Sequence, residues 1–302
     1  MSWLAASIVY FCVMQYGMLA IDLDGTLLDS HGRASRANLD AIGRAIDAGV
    51  RVVPCTGRAW CESRQVLRQI PDSPLASIGV FVTGAAISNL ATGKSLDLAV
   101  LEPHLALEVV EHLWDLPEAV LVFRDGNQTK HDYLVTGAGR LTANTQWWFE
   151  QTGAKVHVLD RVTLVDLHHT LRVGVVAAGT RMLATMKSVR AAFGPRVAVH
   201  HFEAVQKPDP QQTVHILEVF AAGVDKWRGL TWIAREHGIE PGRIAAIGDA
   251  INDVVMVREA GCGIAMANAF EGTAAAADHT TLSCDENGVA HAIEQLLAGE
   301  WG

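Results

Sequence analysis

Met18-Leu-Ala-Ile-Asp22-Leu-Asp24-Gly25-Thr26-Leu-Leu-Asp29-Ser30 is the stretch that decides the fold. An apolar run, Met18 to Leu23, enters acidic residues and then a glycine, which predicts a short buried strand ending in a sharp turn. Side chains alternate along a strand, so Asp22 and Asp24 are expected on one side. Two carboxylates at one strand end repel each other unless something compensates, and a divalent cation would do so. Gly25 lets the backbone turn, and Thr26 offers a hydroxyl and an N–H.

Working outward, the same rhythm of apolar run and amphipathic helix repeats. Leu39, Ile42 and Ile46 recur at helical spacing, with Arg36, Asp40, Arg44 and Asp47 opposite. Gly49 suits that helix's end. Val50 to Cys55 reads as a second strand with Pro54 marking its end. Arg58 to Ile70 reads as a helix and Val80 to Thr83 as a third strand. The pattern returns late in the chain: helix from Trp227 to His237, strand from Arg243 to Ile247, helix from Asn252 to Ala260, strands at Gly263 to Met266 and His279 to Leu282, and a helix from Val289 to Ala298. Alternating strands and helices predict an α/β fold with a doubly wound, parallel, Rossmann-like sheet.

The middle differs. Strand candidates at 119–123, 171–177, 197–202 and 214–220 alternate with helical stretches near 103–115 and 180–193, and Pro208 and Pro210 mark a turn. This predicts an α+β domain, 87–220, inserted into a core formed by 1–86 and 221–302.

The 302 residues suffice for two domains. A net charge of −9, from 24 basic and 33 acidic residues, argues against nucleic acid as a partner. Five cysteines, with no CxxC pair, point to reduced thiols and a cytoplasmic setting. Residues 1–21 carry no charge before Asp22, and Ala5 to Met14 is mostly apolar. The run lacks the basic start of a secretory signal and falls short of the roughly 20 residues of a membrane span. Residues 1–16 are read as an extension of uncertain role, with Met14 or Met18 as a plausible start, and no stable membrane association is expected.

Ligands in open α/β sheets bind at the carboxyl ends of strands. Besides Asp22 and Asp24, two other strand ends carry polar sets: Thr56-Gly57-Arg58, and Gly248-Asp249 followed by Asn252 and Asp253. Magnesium takes oxygen ligands, so Asp22 and Asp249 are the expected direct ligands, with Asp253 binding directly or through water. Thr56, Asn252 and the Gly57 backbone are suitable donors to phosphoryl oxygens. Lys226 stands where the chain re-enters the core and would supply a cation.

These motifs together resemble the haloacid dehalogenase-like hydrolase superfamily, and within it the Cof-type phosphatases with a type-IIB cap. The motifs fall in order: DLDGTLLDS at 22–30, CTGR at 55–58, GVDK at 223–226 and GDAIND at 248–253, with GIAMANA at 263–269 and ENGVAHAIEQLL at 286–297 also similar. The resemblance implies Asp22 as nucleophile, Asp24 as general acid and then base, and Thr56 as the phosphoryl-binding hydroxyl. It implies Lys226 as the steadying cation, Asn252 near the phosphoryl group, and Asp22, Asp249, Asp253 and the Asp24 carbonyl around Mg2+. Thr83 stands where the family often has Asn, and Trp227 where it often has Gly.

Several residues admit two readings. Arg58 would bind substrate or, as favoured, pair with a carboxylate at the helix start; Thr83 and Gly84 are further candidate substrate contacts. Trp227 would shape the pocket or pack on the core. Trp147 and Trp148 read as core packing, with stacking on a substrate ring as the alternative. Arg124, Asp125, Lys130, Asp132 and Tyr133 read as a solvated hairpin that could reach the leaving group. His168-His169 and His200-His201 point to opposite faces if on strands, and no HxH or HExxH occurs, which disfavours a histidine metal site.

The expected function is a magnesium-dependent phosphatase of a small phosphorylated metabolite, acting through an aspartyl-phosphate on Asp22. A sugar phosphate is the first expectation and pyridoxal phosphate or flavin mononucleotide the next. A phosphotransferase or phosphomutase using the same intermediate, or a non-catalytic phospho-signalling protein, are the alternatives. A monomer or homodimer is expected.

Overall fold

The structure, a computed structural model, describes residues 15–178, 181–205 and 213–301. The N-terminal run to Met14 and the Pro208–Pro210 turn lie outside the described residues.

The chain begins β1 (Met18–Asp22), α1 (Arg36–Asp47), β2 (Arg51–Cys55), α2 (Trp60–Leu67), β3 (Ile78–Phe81), β4 (Ala86–Asn89) and β5 (Ser95–Leu98). The middle holds α3 (Pro103–His112), β6 (Val120–Arg124), β7 (Tyr133–Thr136), α4 (Ala143–Thr152), β8 (Val156–Val158), β9 (Thr170–Ala178), α5 (Arg181–Phe193), β10 (Val197–Val205) and β11 (Val214–Ala221). It closes with α6 (Lys226–Glu236), β12 (Ile244–Gly248), α7 (Val254–Glu259), β13 (Cys262–Ala265), α8 (Glu271–Ala276), β14 (His279–Thr280) and α9 (Gly288–Ala298).

Eight strands form the larger sheet, in the order β14-β13-β12-β1-β2-β3-β4-β5. The six from β14 to β3 run parallel, as expected, and β1 lies between β2 and β12. Its two faces are covered separately. Leu19, Ile21 and Val52 pack with Ile42 of α1 and Val289 and Ile293 of α9. Met18, Ala20 and Val53 pack with Leu230 and Ile233 of α6 and Met256 of α7. Strands buried on both faces read as continuous apolar runs, which is why β1 and β12 show no alternation.

Pro54 does not end β2 but sits inside it, paired with Ile21. The N–H of Thr56 donates to Val80 on the β3 side, so the nitrogen of Pro54, two residues earlier, faces that side too. There β2 and β3 pair only at Cys55 and Val80, and no ladder bond is lost.

β4 and β5 run antiparallel and hydrogen-bond into the large sheet, although the expected insert of 87–220 would have claimed most of both. The second sheet, β10-β11-β9-β6-β7-β8, starts only at Val120. β7, β8 and α4 join the four expected strands there. One face of this sheet is covered by α3 and α5, through Val109, Val110, Met182 and Val189. The other face looks toward the large sheet. No helix among the described residues is long and apolar enough to cross a membrane. Cys55, Cys61, Cys262 and Cys284 are free thiols.

Candidate active site

The strand order reverses between β1 and β12, the point where open α/β sheets leave a crevice beyond their carboxyl ends. Asp22 ends β1, and Asp249 follows β12 directly. One carboxylate oxygen from each of Asp22, Asp249 and Asp253 falls within 4.8 Å of the other two. Lys226 enters from the first residue of α6 and is fully buried. Its Nζ donates to Asp22 Oδ1 and to Asp253 Oδ1, each at 2.5 Å.

Local structure fixes each group. Asp225 caps α6 by accepting the Arg228 N–H at 2.8 Å, which sets Lys226 at the helix start. The turn of Thr83 and Gly84 packs on that start so closely that a Cβ on Gly84, at φ +95°, would lie 1.9 Å from the Asp225 carbonyl oxygen. Arg228 closes the contact by donating to the Gly84 carbonyl at 2.9 Å. Gly84 therefore clamps the helix and is not among the residues lining the cavity. Asp253 Oδ2 accepts the N–H groups of Asp249 and Ala250, at 3.1 and 2.9 Å. Thr26 donates its hydroxyl to Asp249 Oδ1 at 2.8 Å. Gly25 is needed for the same approach, since a Cβ there would lie 2.4 Å from Asp249 Oδ2.

The electrostatics leave negative charge over. Three carboxylates face one ammonium. Burial first, then Asp253, holds the Asp22 carboxyl well above its ordinary range despite the opposing pull of Lys226. Burial and Asp253 push Asp249 up to about 6. Burial alone would lower the Lys226 ammonium, but Asp22 and Asp253 hold it above its usual value, so it stays charged. An all-oxygen set with surplus negative charge fits a hard divalent cation. Asn252 Oδ1, buried and without a protein partner, adds an unused acceptor beside it.

Thr56 is buried, and its hydroxyl oxygen accepts the Arg58 N–H at 3.1 Å. A Cβ on Gly57 would lie 3.4 Å from Thr83 Oγ1 and 3.5 Å from Asn252 Nδ2, so these groups converge on the same space. Thr83 is itself buried and lies behind Gly57 rather than on the cavity.

Several expectations are refined. Asp24 lies just beyond the end of β1, which closes at Asp22; its half-exposed side chain lines the same cavity as Asp22, while its carboxylate stands apart from the three converging acids. Arg58 does pair with a carboxylate, that of Asp24 just after β1. Trp147 and Trp148 both line the cavity; Trp147 is 58% exposed, and Trp148 is partly buried and donates to Glu62 at 3.2 Å. Trp227 packs on the core. His168 and His169 lie on a turn rather than a strand, and the histidines form no metal-ligating cluster among the described residues. The 124–133 stretch does join an antiparallel hairpin with an exposed tip at 126–128 and Lys130, but Arg124, Asp125 and Tyr133 at its base are buried.

A cavity of about 970 Å³ opens between the two sheets above Asp22. Its far wall carries Tyr133, Arg172 and Glu218, and its mouth Trp147, Ile251 and Phe270. Arg172, Glu218 and Glu62 were not singled out from the sequence. The available signal was a lone charge within an apolar strand, as in Thr170–Ala178 and Val214–Ala221.

Comparison with known proteins agrees with this geometry. Residues 19–293 match the family model described as haloacid dehalogenase-like hydrolase. The chain is 31% identical over 301 residues to the 5-amino-6-(5-phospho-D-ribitylamino)uracil phosphatase YwtE of Bacillus subtilis, covering 94% of this chain and 99% of that one. A haloacid dehalogenase-like hydrolase from Bacteroides thetaiotaomicron superposes with a TM-score of 0.74 at 23% identity, over 93% of this chain and 99% of that one. The subclass IIB sugar phosphatase BT4131 does so at 0.72 and 18%, over 92% and 98%. The chain has the fold of these proteins and belongs to the haloacid dehalogenase-like hydrolase family, as a phosphoric monoester hydrolase.

Proposed function

We propose that the chain is a magnesium-dependent phosphatase that takes the phosphoryl group of a small metabolite onto Asp22. The observation that carries this reading is Lys226 Nζ bridging Asp22 and Asp253, with Asp249 alongside. Asp22, Asp249 and the Asp24 carbonyl would hold the cation, with Asp253 orienting the Asp249 loop. When bound, the cation neutralises the phosphoryl dianion that a carboxylate must approach.

The residues then divide the work. Lys226 holds Asp22 Oδ1 and leaves Oδ2 to attack phosphorus. The bond from phosphorus to the leaving oxygen breaks as Asp24 gives that oxygen a proton. Water attacks next, Asp24 takes its proton, and the bond between phosphorus and Asp22 breaks to return the carboxylate and release phosphate. The covalent step divides one high barrier into two lower ones. Thr56, Asn252 and the 56–58 backbone donate to the phosphoryl oxygens throughout.

The cavity supports a leaving group with a planar ring over a simple hexose. Trp147, Phe270 and Ile251 present exposed apolar surface at its mouth, and Tyr133 and Phe149 line its interior. A ring stacks on such surface. The relative acting on a phosphoribitylamino-uracil is consistent with this class.

The test is phosphate release from a panel of esters with magnesium, by the wild type and Asp22→Asn. Ring-bearing esters should be turned over best, and Asp22→Asn should release essentially nothing. Equal turnover by Asp22→Asn sinks the nucleophile. An added acceptor alcohol that captured the phosphoryl group in place of water would identify a phosphotransferase.

A further inference from the structure

The cavity wall contributed by the second sheet carries a charge that the proposed chemistry leaves unused. Arg172 interrupts the apolar strand β9, and its side chain is 12% exposed. It pairs with Glu218 at 2.5 Å, donates to the Tyr133 hydroxyl at 2.9 Å, and lies 5.0 Å from the centre of the Phe123 ring. Those contacts stay within the second sheet. A further one crosses to the large-sheet body: Nη1 donates to the carbonyl of Gly57 at 3.1 Å.

Its neighbours land on the same short segment. The Tyr133 hydroxyl donates to Glu62 Oε1 at 3.1 Å, and Trp148 Nε1 to the same atom at 3.2 Å. Glu62 Oε2 in turn accepts the Ala59 N–H at 2.8 Å. The second sheet thus grips residues 57–62, which begin beside the phosphoryl-binding hydroxyl of Thr56.

The chemistry of one peptide bond links the two ends. The Gly57 carbonyl and the Arg58 N–H belong to the same planar unit, so fixing one fixes the other. Arg172 holds the carbonyl, and the Arg58 N–H donates to Thr56 Oγ1 at 3.1 Å. That bond occupies a lone pair of the hydroxyl oxygen and leaves its hydrogen for an acceptor in the cavity. A buried ion pair is often replaceable by apolar residues at no cost to stability. What Arg172 adds to the pair is a rigid fork of donors that can serve Glu218, Tyr133 and Gly57 together.

We propose that Arg172 is a positioning residue which, through the Gly57–Arg58 peptide, orients the Thr56 hydroxyl toward the phosphoryl group. The turn is then complete only when the second sheet is docked on it. This rests on the phosphoryl role given to Thr56 above.

The experiment is competitive inhibition by inorganic phosphate, with magnesium, in Arg172→Met. Phosphate carries no leaving group, so a residue that only contacted the leaving group would not affect it. The inhibition constant should rise about tenfold, the size of one lost charge-assisted hydrogen bond, and kcat should fall with it. Arg172→Lys keeps the charge opposite Glu218 but not the fork, and should fall between the two. If Arg172→Met does not fold, as read by its melting curve, Arg172→Lys carries the test with the same expected direction. An unchanged inhibition constant overturns the proposal, whether KM for the ester rises alone or nothing changes. If the wild type itself neither releases nor binds phosphate, the failure lies in the reading of Thr56.

Discussion

The guanidinium of Arg58 grips the carboxylate of Asp24 by two donors, with Nε 2.7 Å from Oδ2 and Nη2 on Oδ1. Both oxygens of the proposed acid–base are engaged, so the pair must open before Asp24 can reach a leaving oxygen. Arg58 also lies over the Trp148 ring, 5.9 Å from its centre, which gives it a second resting place on the cavity wall.

The first prediction follows from that pair. Asp24→Asn removes the proton donor and should lower kcat by about 10²–10⁴, the usual worth of general acid–base catalysis. Arg58→Ala leaves Asp24 in place but unguided, and should cost less, roughly tenfold. The double variant should be no slower than Asp24→Asn alone, because Arg58 acts through Asp24. Steady-state kinetics on the four proteins decide it. Additive losses would mean that Arg58 touches the substrate independently.

Lys226 offers a prediction about stability. Among the described residues it is the one cation paired with the buried acids Asp22 and Asp253. Lys226→Met would leave buried carboxylates uncompensated, a change that costs about 3–5 kcal/mol. The variant should melt well below the wild type, and magnesium should recover part of the difference by supplying the missing positive charge. Thermal unfolding with magnesium and with a chelator reads both effects. A variant as stable as wild type in chelator would show that the acids tolerate each other without Lys226.

The proposed site was legible in the sequence as a cluster because each part is a short contiguous motif at a strand end. The structure brings Asp22, Thr56, Lys226, Asn252, Asp249 and Asp253 close together. Asp24 reaches the same cavity as Asp22, but through the turn after β1 rather than by strand alternation, because β1 ends at Asp22. The four-residue strands β4 and β5 were missed because their apolar content is too slight to mark them. The Arg172–Gly57 bond spans 115 residues and the Tyr133–Glu62 bond 71, and no local pattern in either segment announces its partner.

Thr26 yields a prediction about the metal. Its buried hydroxyl donates to Asp249 Oδ1 and so orients that carboxylate. Partners of this kind are worth about 10- to 100-fold in metal affinity when removed. Thr26→Val keeps the shape and loses the bond, so the magnesium concentration for half-maximal activity should rise at least tenfold while kcat at saturating magnesium changes little. A titration of activity against magnesium checks this, and an unchanged midpoint would show that Asp249 is held well enough by its loop.

His200 sets a pH dependence of stability. Its ring packs edge-on against Phe220, 5.4 Å between centres, and Nε2 lies 3.4 Å from the Val224 carbonyl where the chain returns to the large-sheet body. Burial lowers its pKa below the ordinary 6.5; the Val224 contact and Asp225 oppose this, while Arg190 and Lys226 add to it. A histidine with a depressed folded pKa takes up its proton more readily in the unfolded chain. Its contribution is therefore complete above about pH 6.5 and is lost as pH falls below that value. The melting temperature should drop between pH 7 and pH 5, and His200→Gln, which retains an N–H for Val224 but cannot titrate, should show a shallower drop. Parallel pH profiles for the two proteins would assign the acid loss to other groups.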